Sequence, residues 1–147
     1  MAEIIPIGAD HAGVALKTRL VAELKALGYQ PEDVGTNSTD SVDYPDFAHE
    51  VAQRVETGKA QRGILLCGTG LGMAYAANRH AGVRAAVAWS PEIAALSRGH
   101  NDANVLVLPA RFVDEEQGVS ILRTWLTTPF EGGRHARRIQ KIEQESA

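Results

Sequence analysis

The sequence has little of several features that would narrow its class at once. Cys67 is the one cysteine among 147 residues, so an internal disulfide is excluded and a reduced, cytoplasmic setting is expected. No apolar run approaches the length that crosses a bilayer, and no charged-then-apolar leader opens the chain. The net charge of −3 lacks the basic excess that nucleic acids and membrane surfaces attract. We therefore expect neither of them as a partner.

Motifs for common cofactors are also missing or incomplete. The run at 68–72 (GTGLG) approximates a dinucleotide fingerprint, but its glycine spacing is wrong, and Ala88, Trp89 and Ser90 stand where a ribose-binding acid is expected. No Gly-Lys-Ser/Thr follows the run, which excludes a P-loop. The five histidines have no close ligand spacing, and one cysteine makes no zinc motif. We expect no cofactor and no metal requirement.

What the chain does have is an alternation of strand and helix patterns over a length that suits one core. Strands are predicted at 4–8, 31–34, 63–67, 84–89 and 104–108. Helices are predicted at 14–27, from 44 to a stop at Gly58, from just beyond 72 to about 80, from 91 towards 99, at 114–127, and from 131 onward. This order predicts one α/β domain over 1–147, with a five-stranded parallel sheet covered on both faces.

The most informative segment is the apolar strand that delivers Cys67 into the turn at 68–72. Backbone N–H groups at a strand-to-helix turn carry the positive end of the helix dipole and favour an anion. Glycines let the chain reach positive φ and let a ligand come close. Such donors also stabilise a thiolate relative to the thiol. Cys67 is therefore either an acid/base or nucleophilic cysteine beside an anion hole, or a buried structural residue.

Ligands of parallel sheets bind beyond the carboxyl ends of the strands. Asp10 and His11 follow the first predicted strand, the turn after Cys67 follows the third, and Arg111 follows the fifth. We expect these groups at one rim. His100 lies in a polar segment before the fifth strand and is the strongest remaining histidine candidate.

The C-terminal segment has a basic face. Arg134 and Arg138 are spaced i,i+4, with Lys141 three residues further. Arginines at this spacing can bind a phosphate together. The same pattern also fits a solvated amphipathic helix with Ile139 and Ile142 packed beneath it. A terminal helix could also reach a second subunit and bring its arginines to a site there.

Six motifs in order make the chain similar to the type B ribose-5-phosphate isomerase family, which includes the galactose-6-phosphate isomerase subunits. They are residues 8–13 (GADHAG), 43–45 (DYP), 67–72 (CGTGLG), 76–78 (AAN), 97–104 (SRGHNDAN) and 131–135 (EGGRH). The resemblance covers nearly the whole chain. It implies a Rossmann-like three-layer α/β/α sandwich without a nucleotide, and a homodimer or dimer of dimers whose active sites are shared between subunits.

The resemblance also implies a role for each matching residue. Cys67 corresponds to the base that moves a proton between C2 and C1 of the open-chain sugar, and His100 to the residue that opens the furanose ring, assisted by Thr69. The remaining positions fall into three groups: an anion hole for the cis-enediolate at Gly68, Gly70, Leu71 and Gly72; groups holding sugar hydroxyls at Asp10, Tyr44 and Asn101; and a phosphate site at His11, Arg111, Arg134 and Arg138, the last two from the neighbouring subunit. Some family members use a Glu just after the loop, where this chain has Met73.

The expected reaction is the interconversion of ribose 5-phosphate and ribulose 5-phosphate without a cofactor. A sister isomerase would act on a four-carbon sugar phosphate, or on a six-carbon one such as allose or galactose 6-phosphate. A non-catalytic sugar-phosphate or nucleotide sensor is a third interpretation. Cys67, Thr69 and His100 together favour an enzyme, because a binding protein needs no proton shuttle.

Overall fold

The computed structural model describes residues 1–143 as a five-stranded parallel sheet between two layers of helices. The strands are β1 (Ile4–Ala9), β2 (Gln30–Gly35), β3 (Gly63–Cys67), β4 (Ala85–Val87) and β5 (Val105–Pro109). The helices are α1 (Val14–Ala26), α2 (Tyr44–Glu56), α3 (Leu71–Ala77), α4 (Pro91–Gly99), α5 (Glu115–Thr127) and α6 (Arg134–Ile142). The strand order is β2-β1-β3-β5-β4, with each neighbouring pair parallel. The predicted α/β class and five-stranded sheet are confirmed.

Each face of the sheet carries its own hydrophobic core. Side chains alternate between the faces of a strand. In β3, Ile64 and Leu66 therefore pack with α1, α4 and α5 on one side, while Leu65 and Cys67 pack with α2 and α3 on the other. The two cores make the molecule a three-layer sandwich. Among residues 1–143 we find no helix with the length and hydropathy of a membrane span.

Most predicted element boundaries hold because the residues that set them act locally. Strand β1 pairs with β2 from Ile4 onward and with β3 from Ile7 onward. Gly28 and Gly58 follow α1 and α2 with φ values of +92° and +80°, which suit glycine and stop a helix. Asp114 caps α5, since its carboxylate accepts a hydrogen bond from the backbone N–H of Gln117 at 2.8 Å.

Two predicted elements are shorter in the structure. Helix α3 ends at Ala77 rather than near His80, and β4 spans three residues instead of six. Asn78, the residue after α3, accepts a hydrogen bond from the N–H of Ala85 at 2.8 Å and donates one to its carbonyl at 3.0 Å, which joins the end of α3 to the start of β4. These bonds occupy backbone groups at the first residue of β4.

The C-terminal helix also differs from its prediction. It begins at Arg134 rather than Glu131, because Gly132 and Gly133 have φ values of +70° and +59°, outside the helical region. Ile139 packs beneath it as expected, but the prediction for Ile142 is wrong, since that residue is 64 % exposed.

Candidate active site

The Cys67 sulfur lies against the glycine turn that links β3 to α3. Cys67 is the last residue of β3 and is buried. The backbone N–H of Gly70 donates to its Sγ at 3.2 Å. Thr69 Oγ1 accepts a hydrogen bond from the N–H of Leu71 at 3.2 Å. The turn therefore supplies a donor to the sulfur, and its first helical residues lie where an anion would approach.

Two side chains from other elements cover this turn. The backbone N–H of Arg111 donates to the carbonyl of Gly68 at 3.1 Å, and a Cβ added to Gly68 would lie 3.2 Å from Arg111 Nη1. A Cβ added to Gly72 would overlap the ring of Tyr44. These two glycines thus allow a guanidinium and a phenol to lie directly on the loop.

Asp10 and His11 lie at the same edge of the sheet. The backbone N–H of Asp10 donates to the carbonyl of Leu66 at 3.1 Å, which sets it beside the end of β3. Its buried carboxylate accepts a hydrogen bond from the N–H of Ala12 at 2.9 Å. His11 Nδ1 accepts one from the N–H of Val42 at 3.3 Å, so the proton of the neutral ring is on Nε2. The structure therefore brings these residues, Tyr44, the Cys67 turn and Arg111 to one rim.

His100 lies at the opposite edge of the sheet. Helix α4 carries the chain back to the amino ends of the strands, where the carbonyl of Asn104 accepts a hydrogen bond from the N–H of Gly63 at 2.9 Å. Cys67 pairs with Pro109 at the other end of β5. Asn104 and Pro109 are five residues apart in extended chain, which corresponds to about 16 Å. Within one chain, His100 therefore does not reach the Cys67 turn.

Three other predicted site residues lie on the same side of the sheet as His100. The backbone N–H of Glu131 donates to the carbonyl of Gly99 at 3.0 Å, which brings the start of α6 to this edge. An ion pair between Arg84 and Glu143, at 2.6 Å, ties the other end of α6 to the residue that precedes β4. These three residues are exposed: Asn101, Arg134 and Arg138.

His135 and Glu131 are neighbours of His100 that the sequence did not assign to the site. The rings of His100 and His135 stack, with centroids 4.3 Å apart and an angle of 13° between their planes. Glu131 Oε2 lies 3.6 Å from His100 Nε2. Burial, and then the positive charge that His100 and Arg134 can carry, lower the pKa of His135. The i,i+4 spacing of Glu131 and His135 was the available signal, but it gave no hint of the contact with His100.

The predicted site residues therefore lie in two separate groups at opposite ends of the strands. We call them the carboxyl-edge half-site (Asp10, His11, Tyr44, Cys67, Gly68, Thr69, Gly70, Leu71, Gly72 and Arg111) and the amino-edge half-site (His100, Asn101, Arg134 and Arg138). The first has a thiol that accepts a hydrogen bond from the backbone of the glycine turn. The second has an imidazole and two guanidinium groups.

Comparison with known proteins agrees with the motifs in the sequence. The Ribose/Galactose Isomerase family matches residues 5–142. Ribose-5-phosphate isomerase B of Escherichia coli (strain K12) is 46 % identical over 138 residues, covering 94 % of this chain and 93 % of that protein.

Solved structures share both the fold and the sequence. A ribose 5-phosphate isomerase from Thermotoga maritima is 50 % identical with a TM-score of 0.94, covering 97 % of this chain and 99 % of that one. Ribose-5-phosphate isomerase B from Mycoplasma genitalium, solved with bound ribulose-5-phosphate, is 45 % identical with a TM-score of 0.94, covering 97 % and 95 %. Because sequence and fold agree over nearly the whole length, this chain belongs to the ribose/galactose isomerase family.

Proposed function

We propose that the chain interconverts ribose 5-phosphate and ribulose 5-phosphate, with Cys67 as the base that moves the proton. Membership of an isomerase family supports the reaction class. Relatives named ribose-5-phosphate isomerase B, one of them solved with bound ribulose-5-phosphate, support the substrate pair. The observation that carries the proposal is the sulfur of Cys67 held against the glycine turn by the N–H of Gly70.

The reaction begins with opening of the furanose ring, for which His100 is the acid/base group. The Cys67 thiolate then removes the proton from C2 of the open-chain aldose, and the electron pair moves through C1–C2 onto O1. The resulting cis-enediolate is stabilised by backbone N–H groups of the turn at 68–72. Transfer of the hydroxyl proton from O2 to O1 and return of the first proton to C1 give the ketose. A positioned base of this kind contributes about 10²–10⁴-fold to the rate.

The separation of the two half-sites supports an active site shared between two copies of the chain. In a two-fold dimer, the carboxyl-edge half-site of each copy would face the amino-edge half-site of its partner, which gives two equivalent sites. Large apolar side chains are exposed beside the Cys67 turn and after β5, as an interface requires: Leu71, Tyr75 and Phe112. Both a homodimer and a dimer of dimers fit this arrangement.

Phosphate binding then draws on both copies. His11 and Arg111 lie in the carboxyl-edge half-site, and Arg134 and Arg138 would arrive on α6 of the neighbouring subunit. Charge-assisted hydrogen bonds to the phosphate provide binding energy away from the reacting carbons, which orients the sugar for proton transfer. We assign this function to residues 1–147 as one isomerase domain, of which 144–147 lie outside the described residues.

The test is turnover of ribose 5-phosphate by the unaltered protein and by Cys67→Ala, with EDTA present and four- and six-carbon sugar phosphates assayed in parallel. We expect ribose-selective turnover that falls by about 10²–10⁴-fold in the variant, since the base is lost. Thermal unfolding of both proteins controls for the small cavity that the buried substitution leaves.

Three other outcomes would change the proposed base, the substrate or the function. Full turnover by Cys67→Ala would show that the base is wrong. Activity on another sugar alone would correct the substrate and keep the mechanism. Tight binding of sugar phosphates without turnover would replace the enzyme by a sensor.

A further inference from the structure

We propose that His100, Glu131 and His135 form a binding site for a divalent transition-metal ion such as Zn²⁺, and that the bound ion inhibits the enzyme. One ligand atom from each residue lies within 4.8 Å of the other two. Glu131 Oε2 is 3.6 Å from His100 Nε2, and its Oε1 is 3.8 Å from His135 Nε2. The carboxylate therefore faces both rings.

The backbone fixes the relative positions of the three residues. His100 caps the end of α4, and His135 lies in the first turn of α6. The hydrogen bond from the N–H of Glu131 to the carbonyl of Gly99, at 3.0 Å, ties these two segments together. A Cβ added to Gly99 would lie 2.8 Å from Glu131 Oε2. The absence of a side chain at Gly99 therefore lets the carboxylate lie beside His100.

Two imidazoles and one carboxylate are a known ligand set for Zn²⁺, with metal–ligand bonds of about 2.0–2.2 Å. Such bonds bring ligand atoms to within roughly 3.5 Å of one another, closer than the separations of 3.6 Å, 3.8 Å and up to 4.8 Å seen here. The two stacked rings also hold their nitrogen lone pairs in nearly parallel planes, so His100 must turn its ring to share an ion with His135. The side chains of His100 and Glu131 are 41 % and 59 % exposed and have room for these movements. Their exposure also leaves a fourth position for water or another ligand. Imidazole nitrogen selects Zn²⁺ or Cu²⁺ over Mg²⁺ and Ca²⁺.

The charges around the cluster allow binding but limit its strength. The Glu131 carboxylate faces both rings and attracts a cation. Arg134 and Arg138 repel a dication, which opposes tight binding. We therefore expect an ion that EDTA removes readily rather than a resident cofactor.

Inhibition follows from the role assigned to His100. A metal ion on Nε2 takes the lone pair that this nitrogen would use to accept a proton during ring opening. The ion would also lie beside Arg134, where the phosphate of the substrate is proposed to bind. This part of the inference rests on the proposed function, whereas the metal site does not.

Binding is tested first, without any assay of activity. The full-length protein, treated with EDTA and dialysed, is titrated with Zn²⁺ by calorimetry and with Co²⁺ by visible absorption. We expect one ion per chain, with affinity reduced by more than an order of magnitude in Glu131→Gln and in His135→Gln. A matched control is His49→Gln, from another cluster, in which His49 contacts His80 and His80 contacts Glu56.

A second control tests whether the ion is bound by the cluster or by the thiol of Cys67. Cys67→Ala, which has no cysteine, should bind Zn²⁺ as tightly as the unaltered protein. Absence of binding, equal affinity in all variants, or loss in Cys67→Ala would each overturn the site.

Inhibition is measured on the same proteins. Micromolar Zn²⁺ should slow turnover of ribose 5-phosphate, EDTA should restore it, and the inhibition constant should rise in Glu131→Gln in parallel with the binding constant. Binding at the cluster without inhibition would overturn the regulatory part alone. Binding at the cluster in a protein that turns over no sugar phosphate would leave the site in place and remove the proposed function.

Discussion

At the scale of single residues, the position of the Cys67 sulfur depends on the backbone of Gly70. Gly70 has φ +80° and donates its N–H to the sulfur. A Cβ at this position would lie 3.2 Å from side-chain atoms of Val87 and Val107. Gly82 offers a comparison, because it has nearly the same φ, +75°, with nothing within 4 Å of an added Cβ. Alanine substitutions at Gly70 and Gly82 therefore separate the cost of a positive φ from the cost of crowding by neighbouring side chains.

We predict that Gly70→Ala loses more stability than Gly82→Ala and also loses turnover. Both substitutions place a Cβ at positive φ, which costs about 1–2 kcal/mol. Gly70→Ala additionally presses on the strands beneath it and shifts the donor away from the sulfur. Urea unfolding and the kcat for ribose 5-phosphate measure the two effects. Equal stability losses with normal kcat in both variants would show that the turn tolerates a side chain and that its geometry is not critical.

The sequence indicated the Cys67 turn because its evidence is local. The turn combines a buried strand, a cysteine and three glycines within a few residues. Each of these features predicts local structure without reference to distant parts of the chain. The stacking of His100 on His135 could not be read in this way. It depends on α6 folding back onto the end of α4, which sequence spacing does not encode.

At the scale of elements, Glu23 links α1 to α5. Its buried carboxylate accepts a hydrogen bond from Arg123 Nε at 2.6 Å and one from Arg19 at 3.0 Å. The hydrogen bond from Arg123, followed by that from Arg19, lowers the pKa of Glu23. A carboxyl group whose pKa is lower in the folded protein stabilises it fully above the unfolded pKa, and this contribution is lost as the pH falls through the folded pKa.

We therefore predict that Glu23→Gln is less stable than the unaltered protein at neutral pH and that the difference shrinks as the pH falls below about 4. Urea unfolding at a series of pH values measures the difference. Glu50→Gln, which breaks an exposed ion pair with Arg54, is the matched control and should change little. A difference for Glu23→Gln that stays constant with pH would contradict the assigned charge interaction.

Helix α6 is the element proposed to carry phosphate-binding arginines. Arg134→Ala should raise the KM for ribose 5-phosphate by roughly 10–100-fold with a smaller change in kcat, since a charge-assisted hydrogen bond contributes about 1.5–3 kcal/mol. Arg137→Ala removes the same charge from the same helix and should have a smaller effect, because Arg137 lies on the far side of Arg134, about 60° around the helix from it and about 100° from Arg138. Steady-state kinetics with both variants test this assignment. Unchanged KM and kcat in Arg134→Ala would remove this residue from the phosphate site.

Element prediction succeeded where the signal was periodic or local, and it was wrong where a distant group decided the outcome. The glycines after α1 and α2 and the cap of α5 could be recognised from the sequence. The start of β4 could not, because the backbone N–H groups of Arg84 and Ala85 donate to the side chains of Asn104 and Asn78. The exposure of Ile142 likewise depends on how α6 lies against the remainder of the molecule.

At the scale of the whole molecule, the topology of the sheet accounts for the division of the site. Every β-to-α connection opens at the carboxyl edge, which is why Asp10, the Cys67 turn and Arg111 meet there, as predicted. Helix α4 then returns the chain to the amino edge, so His100 and α6 lie on the other side. The sequence predicted the first arrangement through the rule for parallel sheets. The second arrangement becomes evident only when the positions of the two half-sites are compared, and we have proposed that a second copy of the chain brings them together.

Complementation between two inactive chains decides whether the active site is shared between subunits. Cys67→Ala and His100→Ala chains, carrying different affinity tags, are co-expressed, and mixed dimers are purified by both tags in sequence. In a mixed dimer one site contains both substitutions and the other contains neither. We predict that each variant alone is nearly inactive and that the mixed dimer recovers about half of the unaltered turnover, as expected for one intact site in two. Mixed dimers as inactive as either parent would contradict an active site built from two half-sites.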